Sequence, residues 1–218
     1  MKEQVRCPWG GSNPLLFPYH DTEWGVPVHD DVRHFEFLVL EAAQAGLSWL
    51  TILKRRDGYR AAYRGFEPSR VAKFGARDVA RLLKDEGIIR NRAKVASSIN
   101  NARRFLEVQK EFGSFDAYLW KWTGGKPLVN RWSTQKQIPP RTELSDAISK
   151  DLKTRGFSFV GSTIIYSHLQ AVGVVNDHLV ECFRWKQVQR RSREALSRAR
   201  PAARGGTGSR RAHPAASR

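Results

Sequence analysis

Cysteine is nearly absent from this 218-residue chain: Cys7 and Cys182 are the only two. Thiols more than a hundred residues apart match no local zinc-finger spacing. Long apolar runs are absent as well. None approaches the roughly 18 residues that a membrane-crossing helix needs, so a soluble protein is expected. No apolar signal segment precedes Cys7, which points to the cytoplasm, where thiols stay reduced and a disulfide between the two is disfavoured. No internal period of the solenoid type is found. Acidic residues are scarce: 21 Asp and Glu face 38 Lys and Arg, for a net charge of +17.

That charge is unevenly spread. Residues 186 to 218 hold ten Lys and Arg against Glu194 alone, and residues 1 to 185 still carry +8. A basic body with a basic tail favours a polyanion, nucleic acid before membrane, because neutralising phosphates releases counterions. From about Gln187 the chain is rich in Arg, Ala, Gly, Ser and Pro and has no hydrophobic period. The tail, 187–218, is therefore expected to be disordered, either a sequence-independent nucleic-acid arm or a solvated extension. The rest, 1–186, is long enough for one domain or for two small lobes around a cleft.

Both cysteines have a histidine within reach. His20 follows Cys7, and His178 precedes Cys182 at the i, i+4 spacing of a helix. A thiolate and an imidazole one turn apart can share a metal ion, and two such pairs would complete a closed tetrahedral zinc site. Two buried, inert thiols satisfy the same spacing.

The body reads as helix nearly throughout, with segments near 33–45, 48–56, 57–64, 68–72, 76–85, 91–110, 114–121, 143–154, 161–172 and 175–183. Ser69, Ser114 and Thr142 stand where helix caps are expected. The fold class is all-α, with two helical lobes expected. In Arg155-Gly156-Phe157-Ser158-Phe159-Val160-Gly161-Ser162-Thr163 a helix ends at glycine, turns tightly and restarts at Gly161. Exposed N–H groups at such a restart can hold a phosphate, as in a helix-hairpin-helix, although an ordinary packing corner has the same pattern. A second glycine break, at Gly87, is followed by Arg90, Arg92 and Lys94, which suit either phosphate contacts or a solvated basic face.

Six blocks occur in order: Cys7-Pro8-Trp9, Tyr19-His20-Asp21-Thr22-Glu23-Trp24-Gly25-Val26-Pro27, Leu40 to Trp49, the Gly87 block, Gly156-Phe157-Ser158-Phe159-Val160-Gly161, and Val175-Asn176-Asp177-His178. On these the chain strongly resembles the DNA-3-methyladenine glycosylase I family, of the helix-hairpin-helix glycosylase superfamily, over about residues 5 to 185. The resemblance implies one structural zinc ion held by Cys7, His20, His178 and Cys182, and a repair enzyme acting on alkylated double-stranded DNA as a monomer, associated with the bacterial nucleoid through its substrate.

It also implies a base pocket. Glu41, a carboxylate in the apolar stretch Phe37-Leu38-Val39-Leu40-Glu41-Ala42-Ala43, matches the family's base-recognition glutamate and is the expected catalytic residue, Trp49 is the stacking platform, and Tyr19 is a second wall. Trp9 and Trp24 are expected to shape the pocket from behind. Leu47 is the candidate wedge filling the gap left by a flipped nucleotide, with Gly161, Ser162 and Thr163 on the DNA backbone. No lysine occupies the hairpin position that bifunctional relatives use, so a monofunctional enzyme without lyase activity is implied.

Two departures bear on these expectations. Leu16 stands where many family members carry an aromatic, which leaves room for a shifted alkylpurine range, such as 3-methylguanine. The superfamily's usual catalytic aspartate is out of place, and Asp177 is expected to cap a helix before His178. A non-catalytic zinc-containing DNA-binding protein would retain the hairpin and the metal ligands but not turnover.

Overall fold

Asp30 opens the central helix by accepting a hydrogen bond from the Arg33 backbone N–H at 2.8 Å. All residues from His34 to Ala43 are buried, so this helix is enclosed on every side and its near-continuous apolar sequence needs no polar stripe. The computed structural model describes residues 4–190. Its helices are α1 (Pro8–Gly11), α2 (Phe17–Thr22), α3 (Asp31–Gln44), α4 (Trp49–Leu53), α5 (Arg56–Ala62), α6 (Pro68–Val71), α7 (Ala76–Lys84), α8 (Arg92–Phe112), α9 (Phe115–Trp120), α10 (Glu143–Thr154) and α11 (Ser162–Ala171). Strands β1 (Leu128–Val129) and β2 (Val175–Asn176) form one short parallel pair, with Leu128 opposite Val175. The all-α expectation holds, and the buried apolar side chains form one continuous cluster reaching from Cys7 to Cys182.

Caps follow the sequence at Ser114 and Thr142, whose side chains accept from the N–H groups of Ala117 and Ser145. Ser69 is not a cap. Pro68 fixes the first turn of α6 and Ser69 instead donates to the Glu67 carboxylate at 3.1 Å.

The segment 175–183 is not a helix. Val174 and Val175 are β-branched, and the chain runs extended through β2 before turning at Val180 to Cys182. Asn176 then accepts from the His178 N–H at 3.2 Å, a local side-chain turn in place of a helical one. A helix over 183–190 follows, with Val188 buried, so the four residues 187–190 assigned to the tail continue ordered structure. The remaining tail lies outside the described residues.

Helices α10 and α11 form a hairpin in which α11 packs on α3 and the turn rests against α8. Its turn contains Gly156 at φ +84° and Phe159 at φ +54°. The side-chain amide of Asn101 on α8 pairs with the Ser158 backbone in both directions, at 2.9 and 2.8 Å. The Ser149 hydroxyl donates to the Val160 carbonyl at 2.7 Å. The turn is thus held from two helices, which fixes where α11 begins.

Candidate active site and metal centre

The cavity that these elements enclose measures about 280 Å³ and is lined by Trp9, Tyr19, Trp24, Glu41, Gln44, Trp49, Gln135, Ile138, Ser167 and Gln170. The Tyr19 and Trp49 rings lie 5.2 Å apart in a tilted arrangement, and Trp9 meets Trp24 edge-on at 4.9 Å. Every aromatic expected in the pocket is there. Trp24 has two faces of duty, since its ring also meets His178 edge-on at 4.6 Å.

Glu41 projects from α3 into this aromatic enclosure with only 4% of its surface exposed. No described residue bonds to or pairs with its carboxylate, and burial pushes its pKa up to about 8. The Tyr19 hydroxyl is likewise held well above its ordinary value, first by burial and then by the charge of Glu41. An isolated buried carboxylate is costly, so a pocket that keeps one is built to receive a partner for it. Ring faces and a carboxylate together favour a delocalised cation.

Behind α2, the side chains of Cys7, His20, His178 and Cys182 converge, all buried, with their ligand atoms within 4.8 Å of one another. The Cys7 sulfur is 3.6 Å from His178 Nδ1, and the Cys182 sulfur is 3.6 Å from both His178 Nδ1 and His20 Nε2. The outward ring nitrogens are fixed in turn. His20 Nδ1 meets Asp21 Oδ1 at 2.7 Å, with Asp21 gripped by Arg6, and His178 Nε2 meets the Trp24 carbonyl at 3.0 Å. Such outer contacts set which nitrogen faces a metal. Hydrogen bonds from Cys7, His178 and His20 draw the Cys182 thiol below its ordinary pKa.

A family profile described as methyladenine glycosylase matches residues 9–185. DNA-3-methyladenine glycosylase 1 of Escherichia coli is 48% identical over 177 residues, 81% of this chain and 95% of that protein. The DNA-3-methyladenine glycosylase of Haemophilus influenzae is 42% identical over 82% of this chain and 96% of its own length. The chain belongs to the methyladenine glycosylase family. A solved structure of the Staphylococcus aureus 3-methyladenine DNA glycosylase I, described as showing the basis of 3-methyladenine recognition, superposes with a TM-score of 0.79 at 36% identity, covering 82% of this chain and 95% of that one.

In this member of the methyladenine glycosylase family, the loop after α3 and the start of α11 meet at the mouth of the pocket. A smaller recess of about 190 Å³ between them is lined by Glu41, Gln44, Ala45, Gly46, Leu47, Thr163, Ile164 and Ser167. Gly46 takes φ +78°, which turns Leu47 outward with 40% of its surface exposed. Gly161 precedes the first turn of α11, and no side chain caps that turn. Leu47 and Thr163 therefore face the same recess, and Gly161 and Ser162 precede Thr163 at the start of α11.

Four expectations are corrected. Lys94 does not face outward with Arg90 and Arg92; its ammonium donates to the carbonyls of Ala43 and Ala45 at 2.8 and 2.7 Å, satisfying the exposed C-terminus of α3. Asp177 caps no helix. It is fully buried, and its carboxylate accepts from Asn130 Nδ2, Trp132 Nε1 and Gln170 Nε2, each at 2.7 Å, and from the Tyr166 hydroxyl. His178 and Cys182 meet across a turn rather than along a helix. Leu16 is buried in a short 3-10 turn before α2 and does not line the cavity.

The polar lining escaped the sequence reading. Gln44 lies one turn beyond Glu41, and Ser167 and Gln170 continue a polar stripe from Thr163 along α11, whose intervening residues are buried except for half-buried Ile164. That stripe was visible as polar residues at positions 163, 167 and 170 of an otherwise apolar helix. Gln135 opens a one-turn 3-10 helix (Gln135–Gln137) that Ile138 follows, and nothing in that short turn marks either as cavity lining.

Proposed function

We propose that this protein is a monofunctional DNA glycosylase that removes 3-methyladenine from alkylated double-stranded DNA by hydrolysing its N-glycosidic bond. The observation that carries this reading is the unpaired carboxylate of Glu41 inside a cavity walled by Trp9, Tyr19, Trp24 and Trp49. Methylation at N3 gives the base a positive charge while it is still attached to the sugar, and the carboxylate and ring faces suit that cation better than neutral adenine. The relatives named for this activity support it.

The chemistry asks little of an acid. Departure of the base carries the glycosidic electron pair onto its ring nitrogen and neutralises it, while water forms the new bond to the anomeric carbon and releases a proton to solvent. Glu41, Tyr19 and Trp49 bind and orient the base, and Trp9 and Trp24 close the cavity behind them. Asp177 takes no part as a base, since four donors already occupy its carboxylate. Ser162 and Thr163 stand where a Schiff-base lysine would be needed, so the product is an intact abasic strand.

Access to the pocket requires extrusion of the nucleotide. Leu47 fills the gap as an apolar wedge, and the uncapped N–H groups of Ser162 and Thr163, after Gly161, hold a backbone phosphate near the lesion. One chain supplies the whole lining of the cavity, so a monomer suffices.

The Cys7, His20, His178 and Cys182 cluster holds one structural zinc ion. With Zn–S near 2.3 Å and Zn–N near 2.0–2.1 Å, tetrahedral angles place sulfur and nitrogen about 3.6 Å apart, and three such separations are 3.6 Å. All four ligands are protein atoms in a buried site, so zinc supplies stability and leaves water activation aside. The test is chromatography of bases released from methylated duplex DNA: free 3-methyladenine should accumulate while strands remain whole until alkali is added. Enzyme-dependent nicking, or no released base, contradicts the proposal.

A further inference from the structure

Gln170 lines the cavity, and its amide has only one possible orientation. Its Nε2 lies 2.7 Å from Asp177 Oδ2. A carboxylate that is already accepting from Asn130, Trp132 and Tyr166 cannot donate, so the nitrogen of Gln170 must face it. The carbonyl Oε1 is then left without a partner among the described residues, on a side chain that borders the pocket. Asp177 is itself fixed by elements distant in sequence, since Asn130 and Trp132 follow β1 while Tyr166 belongs to α11.

We propose that Gln170 is a specificity-determining residue of the base pocket, presenting a fixed hydrogen-bond acceptor that favours purines with an amino group at C6 over those with a keto oxygen there, and that Asp177 is the positioning residue that fixes it. This rests on the glycosylase reading. Adenine offers an N–H donor at C6 and guanine an acceptor. An amide free to rotate would serve either base, whereas one locked by a carboxylate serves only the first. Against a locked acceptor, the keto oxygen of 3-methylguanine meets lone pair with lone pair, and a desolvated acceptor goes unmatched.

The test uses the full chain, Gln170→Met and Asp177→Asn on methylated duplex DNA that carries both 3-methyladenine and 3-methylguanine, with both released bases measured over time. Gln170→Met removes the acceptor at nearly constant volume and should lower the preference for 3-methyladenine roughly five- to tenfold, the worth of one hydrogen bond between neutral groups. Asp177→Asn can itself donate, which frees the Gln170 amide to turn, and it should shift the preference in the same direction. A merely structural role would slow release of both bases together and leave their ratio unmoved, and that result in Gln170→Met overturns the proposal. A ratio that moves in Gln170→Met but not in Asp177→Asn overturns the positioning role. Failure of the unaltered chain to release 3-methyladenine at all would overturn the glycosylase reading instead, and is told apart by occurring before any substitution.

Discussion

Glu36 and Glu41 lie on the same helix and are equally buried, at 3% and 4% exposure, yet one is surrounded by arginines and the other by none. The Glu36 carboxylate accepts from Arg33 at 2.6 Å, Arg56 at 2.8 Å and Arg60 at 3.0 Å, and Arg56 goes on to bond Glu23. Removing one member of a buried ionic network strands the others, so Glu36→Gln should cost roughly 2–4 kcal/mol of stability. Glu41→Gln replaces a buried carboxyl that folding leaves without a partner, so its melting temperature should equal or exceed that of the unaltered protein while base recognition is lost. Thermal melts of the two variants check this. Equal destabilisation by both would show that Glu41 has a structural partner.

The raised pKa of Glu41 gives stability and binding opposite dependences on pH. The folded protein holds a proton on Glu41 up to about pH 8, while the unfolded chain gives it up near the ordinary carboxylate value of 4.5. This stabilisation is therefore fully present below 4.5 and is lost as pH rises through about 8. Affinity for a cationic base should move the other way, rising toward pH 8 as the carboxylate ionises and levelling off above it. Glu41→Gln should flatten both profiles. A binding profile that keeps its rise in the variant would assign the titration to another group.

His168 contributes to the acid limb. It is 1% exposed, neither ring nitrogen has a partner among the described residues, and its pKa is lowered to about 3, by burial and then by neighbouring His34. The unfolded chain takes up this proton at about 6.5, so the contribution of His168 to stability is present above that pH and lost progressively as pH falls toward 3. His168→Leu should make melting temperature less sensitive to pH between 6.5 and 4. An unchanged slope would mean the acid limb belongs to the carboxylates.

Tyr19 and His20 are consecutive on α2 and serve different centres, one walling the pocket and the other facing the sulfur of Cys182. Loss of the metal should therefore reach the pocket through a single peptide unit. A chelator strong enough to strip zinc, or Cys182→Ser, should reduce bound zinc from one ion per chain to none. Stability should drop by several kcal/mol, a fraction of the order of 10 kcal/mol that structural zinc binding can supply. Tryptophan fluorescence should change with it, because Trp24 and Trp9 pack on His178 and His20. Full zinc loss with unaltered melting and fluorescence would contradict a structural clasp.

Periodicity and caps made α3, α8, α10 and α11 legible, since buried positions on an amphipathic or fully enclosed helix recur at fixed intervals. The segment 175–183 was misread because His178 and Cys182 have helical spacing while the preceding valines and the pairing with β1 hold the backbone extended. The buried Cys/His cluster and the aromatic cavity were legible through ordered motifs, which no propensity argument would have assembled. Gln135 and Ile138 were not, since their place depends on how a one-turn 3-10 helix packs against distant elements. Lys94 was hidden for another reason: in sequence it belongs to a basic run, and only the structure shows that its charge answers the carbonyl end of α3.

The most direct measurement is release of free 3-methyladenine from methylated duplex DNA by the full chain beside Glu41→Gln, with zinc content and DNA affinity matched. The account predicts rapid release by the unaltered protein, intact strands, and strongly reduced release by the variant at undiminished stability. Undiminished release by Glu41→Gln would remove the carboxylate from recognition, and DNA binding without release by either protein would contradict the glycosylase assignment itself.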